Sequence, residues 1–337
     1  MSELPRSSGS LRRAVDAALG SFLADRRAAL PEAAALIDEI ERLLNSGGKR
    51  IRPAFCFWGH RAAGGQDGDA AVRAAASLEL LHTFAIVHDD IMDSSEERRG
   101  VPTVHVRHGL NVALLVGDLA LVLADALFVG SGFGAPDVTR AFEWYSRMRQ
   151  QVIAGQYLDV ELAREPLVTE ERARWVAVLK SGRYSIEHPL AIGASLAGAR
   201  PDLLERIRSF GAPLGEAFQL RDDLLGTFGE RSSVGKPVDS DIREGKRHVL
   251  YAKALASLPP SERSFLVARW GGGSELGEEE VEQLRGLIES SGARAATERL
   301  VTELTERALG ALKELALEDE VHAALEDLAH SATTRRC

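Results

Sequence analysis

The stretch Leu78-Glu-Leu-Leu-His-Thr-Phe-Ala-Ile-Val-His-Asp-Asp-Ile-Met-Asp93 runs an apolar helical pattern into three aspartates. It continues as Ser94-Ser-Glu-Glu-Arg-Arg-Gly-Val-Pro-Thr-Val-His-Val-Arg-His-Gly109, placing Arg98 and Arg99 just beyond the acidic end. Asp89 and Asp93 are four residues apart, so on a helix they share one face with Cβ atoms roughly 5–6 Å apart. Two carboxylates stacked in this way repel unless a cation lies between them. Such hard-oxygen pairs suit Mg²⁺, which keeps much of its water and takes further ligands from phosphate. Arg98 and Arg99 add donors shaped for phosphate oxygens. The stretch reads as a site for a metal–diphosphate complex. Its alternative is a solvated acidic helix end followed by a basic loop, and the rest of the chain has to decide between them.

The chain has 337 residues, of which 45% are hydrophobic and 27% charged, the balance of a soluble globular protein. A net charge of −9 and a pI near 5.6 argue against a nucleic-acid binder. An acidic protein that binds anions must do so through local basic clusters or metal ions, so the placement of its cations carries the information. The two cysteines, Cys56 and Cys337, build neither a disulfide framework nor a zinc spacing, so a reducing cytoplasm is the expected compartment. No signal pattern opens the chain, and Glu3, Asp16 and Asp25 speak against a transit peptide. The longest apolar stretch, Leu110 to Gly130, contains Asp118 and Asp125; it is expected to be a helix within a large helical protein, with no stable membrane insertion.

Residues 1–10 are expected to be disordered, and 11–337 to form a single all-helical domain. Apolar residues recur at helical spacing from Leu11 to about Asn45, and Ser46-Gly-Gly48 ends that segment. Lys49-Arg50-Ile51-Arg52-Pro53 then sets three cations at a glycine-rich junction, where backbone and side chains together could cradle an anion. Helical patterns follow at 53–63, 69–93, 111–128 and 138–161. Another starts near Thr169, whose Thr-Glu-Glu-Arg suits a helix start, and reaches Lys180-Ser181-Gly182-Arg183-Tyr184. The next runs from Pro201 to Leu225, a polar loop spans Gly226 to Lys246, helix resumes at His248–Leu258, and charged amphipathic helices fill 278–290, 293–316 and 318–331. No strand alternation or fixed-length repeat is visible. Pro259-Pro260 and Gly271–Gly273 are too short to demand a second domain.

A second acidic helix end, Asp222-Asp223, precedes a loop that holds lysine and arginine. Helical bundles build sites from side chains on facing helices, so the two acidic ends are expected to face one another across a central cavity. Three basic sets then have a use: Lys49/Arg52, Arg98/Arg99 and Lys180/Lys236/Lys246. Taken together, the chain resembles the trans-isoprenyl diphosphate synthase (polyprenyl synthetase) family over roughly residues 45–250. The resemblance rests on Gly47-Gly48-Lys49-Arg50-Ile51-Arg52-Pro53, His82, Asp89-Asp90-Ile91-Met92-Asp93 and Arg98-Arg99-Gly100-Val101-Pro102-Thr103. It continues through Gly155-Gln156, Lys180-Ser181, Phe218-Gln219-Leu220-Arg221-Asp222-Asp223, Gly235-Lys236-Pro237 and Asp241 to Lys246. Each motif is weak alone; the ordered set is specific.

The resemblance implies an all-α bundle of the isoprenoid synthase type and trans-prenyl chain elongation. Isopentenyl diphosphate is joined to an allylic diphosphate, with loss of inorganic diphosphate. No nucleophilic triad is evident and none is needed, because ionising the allylic C–O bond requires electrostatic stabilisation of the leaving group. By motif match, Asp89 and Asp93 hold two Mg²⁺ ions and Asp222 a third. Arg98, Lys180 and Lys236 grip the allylic diphosphate, while Lys49, Arg52, His82 and Arg99 hold isopentenyl diphosphate. Ser181 and Gln219 fall near the allylic cation, and Asp90, Asp223, Asp241 and Lys246 support the site or close its loop.

One departure stands out: the second motif's fifth-position aspartate is here Gly226. Asp239 or Asp241 from the following loop can supply the missing charge, and catalysis is expected to survive. A bulky residue five before the first motif limits elongation in this family; Phe84 in that place implies a geranylgeranyl product, with farnesyl diphosphate the alternative. Helix arithmetic puts Phe84 about 140° from Asp89 and brings Ala85 and His82 closer to its line, so the floor assignment comes from resemblance. Other readings are a class I terpene cyclase, which has little use for the Lys49/Arg52/His82 set, and a non-catalytic subunit of a heteromeric synthase. The family is usually homodimeric, and the apolar 111–128 helix is the expected interface.

Overall fold

A computed structural model describes residues 8–229 and 239–334. Its helices follow the 3.6-residue apolar period of the sequence: α1 (Ser8–Ala29), α2 (Ala34–Asn45), α3 (Ile51–Ala62) and α4 (Asp69–Met92). A two-stranded ladder, β1 (Glu97–Arg98) with β2 (Val101–Pro102), separates α4 from α5 (Val104–His108), α6 (Leu110–Val129) and α7 (Ala135–Ala163). Next come α8 (Glu170–Val176), a π-helical stretch (Ala177–Glu187), α9 (His188–Leu196) and α10 (Pro201–Phe228). The described chain closes with α11 (Ser240–Glu244), α12 (Val249–Ser257), α13 (Pro260–Arg269), α14 (Glu278–Ser290), α15 (Ala293–Lys313) and α16 (Asp319–Thr333).

Two expectations change. Helix already begins at Ser8, inside the stretch expected to be disordered; residues 1–7 lie outside the described residues. The hairpin is strand structure that alternation could not announce, because each strand is only two residues long. The described chain also divides into two compact units. One takes 8–147, Ser185–Ser209 and Leu312–Leu328; the other takes Met148–Tyr184, 210–229, 239–311 and 329–334. The divisions fall inside α7, the π-helical stretch, α10, α15 and α16, and not at Pro259-Pro260 or Gly271–Gly273. Breaker residues mark chain turns, whereas units are defined by which side chains pack.

In the first unit α4 packs along α6 and α3, and α3 along α9. Its core includes Phe55, Phe57, Leu78, Leu81 and Phe128, with Phe128 stacked on Tyr145 at 4.4 Å. In the second unit Leu220 and Leu224 of α10 join Tyr251, Trp270 and Leu284 in one apolar cluster. Both α4 and α6 are long and apolar enough to cross a membrane by length and composition, yet most of the α4 window is buried. For α6 the buried share is 44%, which leaves an apolar face uncovered.

Candidate active site

In the first unit α4 keeps its helical bonding to the end, with Asp93 N–H donating to Asp89 O at 2.8 Å. Asp89 and Asp93 therefore stay on one helical face. Ser94 then turns left-handed (φ 54°), and Ser95 N–H donates to Asp90 O, which ends the helix. Asp90 points elsewhere: it is only 2% exposed and takes the Arg98 guanidinium through Nε at 2.7 Å and Nη2 at 2.6 Å. The same Nη2 lies 3.3 Å from Asp89 Oδ2. Arg98 reaches back because Arg99 and Gly100 both have positive φ, the pairing a tight two-residue hairpin turn demands. The hairpin also carries Arg99 over to Gly47, where its Nη1 donates to the backbone carbonyl.

That contact leads to the basic set. Gly48, with φ 134°, passes between two guanidiniums; a Cβ there would meet Arg50 Nη1 at 3.0 Å and Arg99 Nη1 at 3.3 Å. Arg50 is internal, 6% exposed, and donates to Asp16 (2.7 Å), to Glu79 (2.9 Å) and to Leu44 O (2.7 Å). It locks α1, the glycine junction and α4 together, so it is an anchor and not a ligand-binding cation. Arg52 donates to Ser185 Oγ at 2.8 Å, and Lys49 is exposed on the same junction. His82 of α4 is held well below its ordinary pKa, first by burial and then by the charges of Arg52, Arg99, Arg98 and Arg50. Like charge also weakens Arg99's hold on its proton, after burial. A neutral imidazole ringed by guanidiniums makes an anion cradle.

In the second unit Lys180 and Ser181 ride on the π-helical stretch. Gly155 of α7 lets its backbone approach closely: a Cβ at 155 would lie 2.4 Å from Lys180 N. One turn further along α7, Asp159 accepts Lys180 Nζ at 2.6 Å and lies 3.7 Å from Lys246 Nζ. The sequence motifs give Asp159 no role, and its place four residues after Gly155 is the one signal they carry for it. On α10, Gln219 Nε2 donates to Asp223 Oδ1 at 2.6 Å. Asp223 is 6% exposed and its pKa is pushed well up, by burial first and then by Asp241, with Asp222 and Asp159 adding smaller pushes; the Gln219 hydrogen bond opposes the rise.

The Gly226 departure has a local explanation. A Cβ at Gly226 would stand 2.1 Å from Asp241 Oδ2, so the loop carboxylate occupies the space of the missing side chain. Asp239, the other candidate, is taken by Arg243. Lys236 lies outside the described residues. Among the described residues no three His, Cys, Asp or Glu side chains gather into an all-protein metal site. The donor sets are small and all-carboxylate, and they fit an ion that completes its shell with water and phosphate. Phe84, by contrast, sits against His88, with ring centroids 4.9 Å apart.

An all-α fold carrying a stacked carboxylate pair beside an arginine-ringed anion cradle defines a prenyltransferase of the isoprenoid synthase fold. The chain belongs to the polyprenyl synthetase family, whose model matches residues 34–288. It is 39% identical to a geranylgeranyl diphosphate synthase of Sulfolobus acidocaldarius over 70% of this chain and 72% of that one. It is 35% identical to a (2E,6E)-farnesyl diphosphate synthase of Mycobacterium tuberculosis over 76% of this chain and 71% of that one. A geranylgeranyl pyrophosphate synthase from Corynebacterium glutamicum, solved with isoprenyl diphosphate and magnesium, superposes with a TM-score of 0.94 at 35% identity. That match covers 98% of this chain and 100% of the other.

Proposed function

We propose that the chain condenses isopentenyl diphosphate with an allylic diphosphate, with geranylgeranyl diphosphate as main product and farnesyl diphosphate as the runner-up. The observation that carries this reading is the cradle around His82, in the same unit as the Asp89/Asp93 pair. It supplies a second diphosphate site, which a terpene cyclase does not need. Lys49, Arg52, His82 and Arg99 hold isopentenyl diphosphate; Asp89 and Asp93 serve two Mg²⁺ ions and Asp222 a third. Magnesium, when bound, supplies the positive charge that makes the allylic diphosphate a leaving group.

The chain's own residues do the rest. Arg98, oriented by buried Asp90, and Lys180, oriented by Asp159, grip the departing diphosphate with Lys236. Ser181 and Gln219 turn oxygen dipoles toward the allylic cation, and Asp223 fixes the Gln219 amide. Asp241 stands in for the absent fifth-position carboxylate, and Lys246 joins the loop to Asp159. The departing diphosphate takes the final proton. Phe84 closes the elongation pocket, and Ala85 beside it leaves room for a C20 chain.

A homodimer and a cytoplasmic location complete the proposal. Leu110, Leu114, Leu115, Val122 and Val129 of α6 are exposed within about 140° of helix surface. Asp118 and Asp125 fall inside that arc, and two carboxylates make lipid a poor cover for it. A second copy fits better. The two-cysteine count suits a reducing compartment. One assay tests the catalytic reading: pure chain, Mg²⁺, isopentenyl diphosphate and each allylic starter in turn, with product lengths read by chromatography. Elongation ending at C20 is expected. Hydrocarbon released without isopentenyl diphosphate, or no turnover at all, sinks it.

A further inference from the structure

His88 has no part in the roles above, although it adjoins Asp89. It lies one turn after Phe84, on the same face of α4. The two rings meet edge-to-face, with centroids 4.9 Å apart and planes at 70°. The imidazole also reaches the backbone of α6, where Nε2 lies 3.3 Å from Leu114 O. A Cβ at Gly117 would come within 2.3 Å of Nε2 and 2.4 Å of Cδ2, so any side chain at 117 would evict the ring. Asp118 Oδ1 stands 3.8 Å from the same nitrogen. His88 is thus wedged between α6 backbone and the Phe84 ring.

We propose that His88 is a positioning residue for product length: braced on Gly117, it holds the Phe84 ring where elongation stops. The inference rests on the chain-length reading of Phe84 given above. A ring in a close-packed seam keeps its rotamer because its neighbours fill the alternatives. Without the imidazole, Phe84 can swing into the vacated space at Gly117, and the pocket deepens. His88 is about 100° round the helix from Asp89, so this change leaves the diphosphate-binding face alone.

The test measures product lengths for wild type, Phe84→Ala, His88→Ala and the double variant, with circular dichroism to check each fold. His88→Ala is expected to lengthen the main product by one isoprene unit while isopentenyl diphosphate consumption stays within about fivefold of wild type. The double variant should match Phe84→Ala, because both act through one ring. His88→Gln keeps a polar reach toward Leu114 O but lacks the ring, and should also lengthen the product; it stands in if His88→Ala does not fold. A wild-type product spectrum from the folded His88 variants, with Phe84→Ala lengthening, overturns this inference alone. A double variant that exceeds Phe84→Ala overturns it too. No change from Phe84→Ala removes the chain-length reading and this inference with it.

Discussion

At Gly226 a side chain missing from one helix is replaced in space by a carboxylate from another segment, and the substitution can be tested by moving it back. Asp241→Ala should weaken Mg²⁺ binding in the presence of diphosphate by about 10–100-fold, measured by titration calorimetry. Gly226→Asp should restore binding only in the Asp241→Ala background, since Asp241 otherwise fills the space. Arg50 and Arg52 show how neighbouring cations part ways. Arg50 and Glu79 form a buried pair at 6% and 4% exposure. Arg50→Ala strands that carboxylate and should cost roughly 3–5 kcal/mol in urea unfolding. Arg52→Ala should leave stability nearly unchanged and raise KM for isopentenyl diphosphate roughly 10–100-fold, as loss of a charge-assisted hydrogen bond of about 1.5–3 kcal/mol implies. The Lys-Arg-Ile-Arg run suggests three equivalent cations; burial separates the internal anchor Arg50 from half-buried Arg52 and exposed Lys49.

Among the elements, α12 begins on an unusual cap. His248 Nδ1 accepts the Tyr251 N–H at 3.3 Å, so Nε2 carries the proton and lies 3.4 Å from Thr227 Oγ1. Capping by Nδ1 requires a neutral ring, and burial lowers the His248 pKa from 6.5 to about 4. A depressed histidine pKa gives stability that is whole above the unfolded value and is lost as pH falls toward the folded one. Between pH 6.5 and about 4 this group should therefore remove about 1.4 kcal/mol per pH unit. His248→Thr keeps an oxygen cap and should flatten that part of the pH–stability curve, as thermal melts would show. The π-helical stretch under Lys180 is the opposite kind of case. Thr169 is a legible cap and does accept Arg172 N–H at 3.3 Å, but nothing in the following residues distinguishes wide turns from α turns. The close approach of Gly155 to Lys180 is visible only when the helices are packed.

At the scale of the whole molecule the uncovered face of α6 makes the sharpest forecast. Light scattering should find twice the 36.4 kDa chain mass, and Val122→Glu with Leu115→Glu should return the monomer. A monomeric wild type would leave that face needing another partner. The helices, the Asp89/Asp93 stripe and the order of the basic motifs follow from sequence alone, because helical period, i,i+4 spacing and charge type are local properties of the chain. Tertiary structure decided which cation is internal, which loop aspartate fills the Gly226 space, and that Asp159 holds Lys180 and Lys246. It also decided that Phe84 leans on His88 and not on the Asp89 line. Those outcomes depend on burial and on approaches between residues far apart in sequence, and no local pattern encodes either.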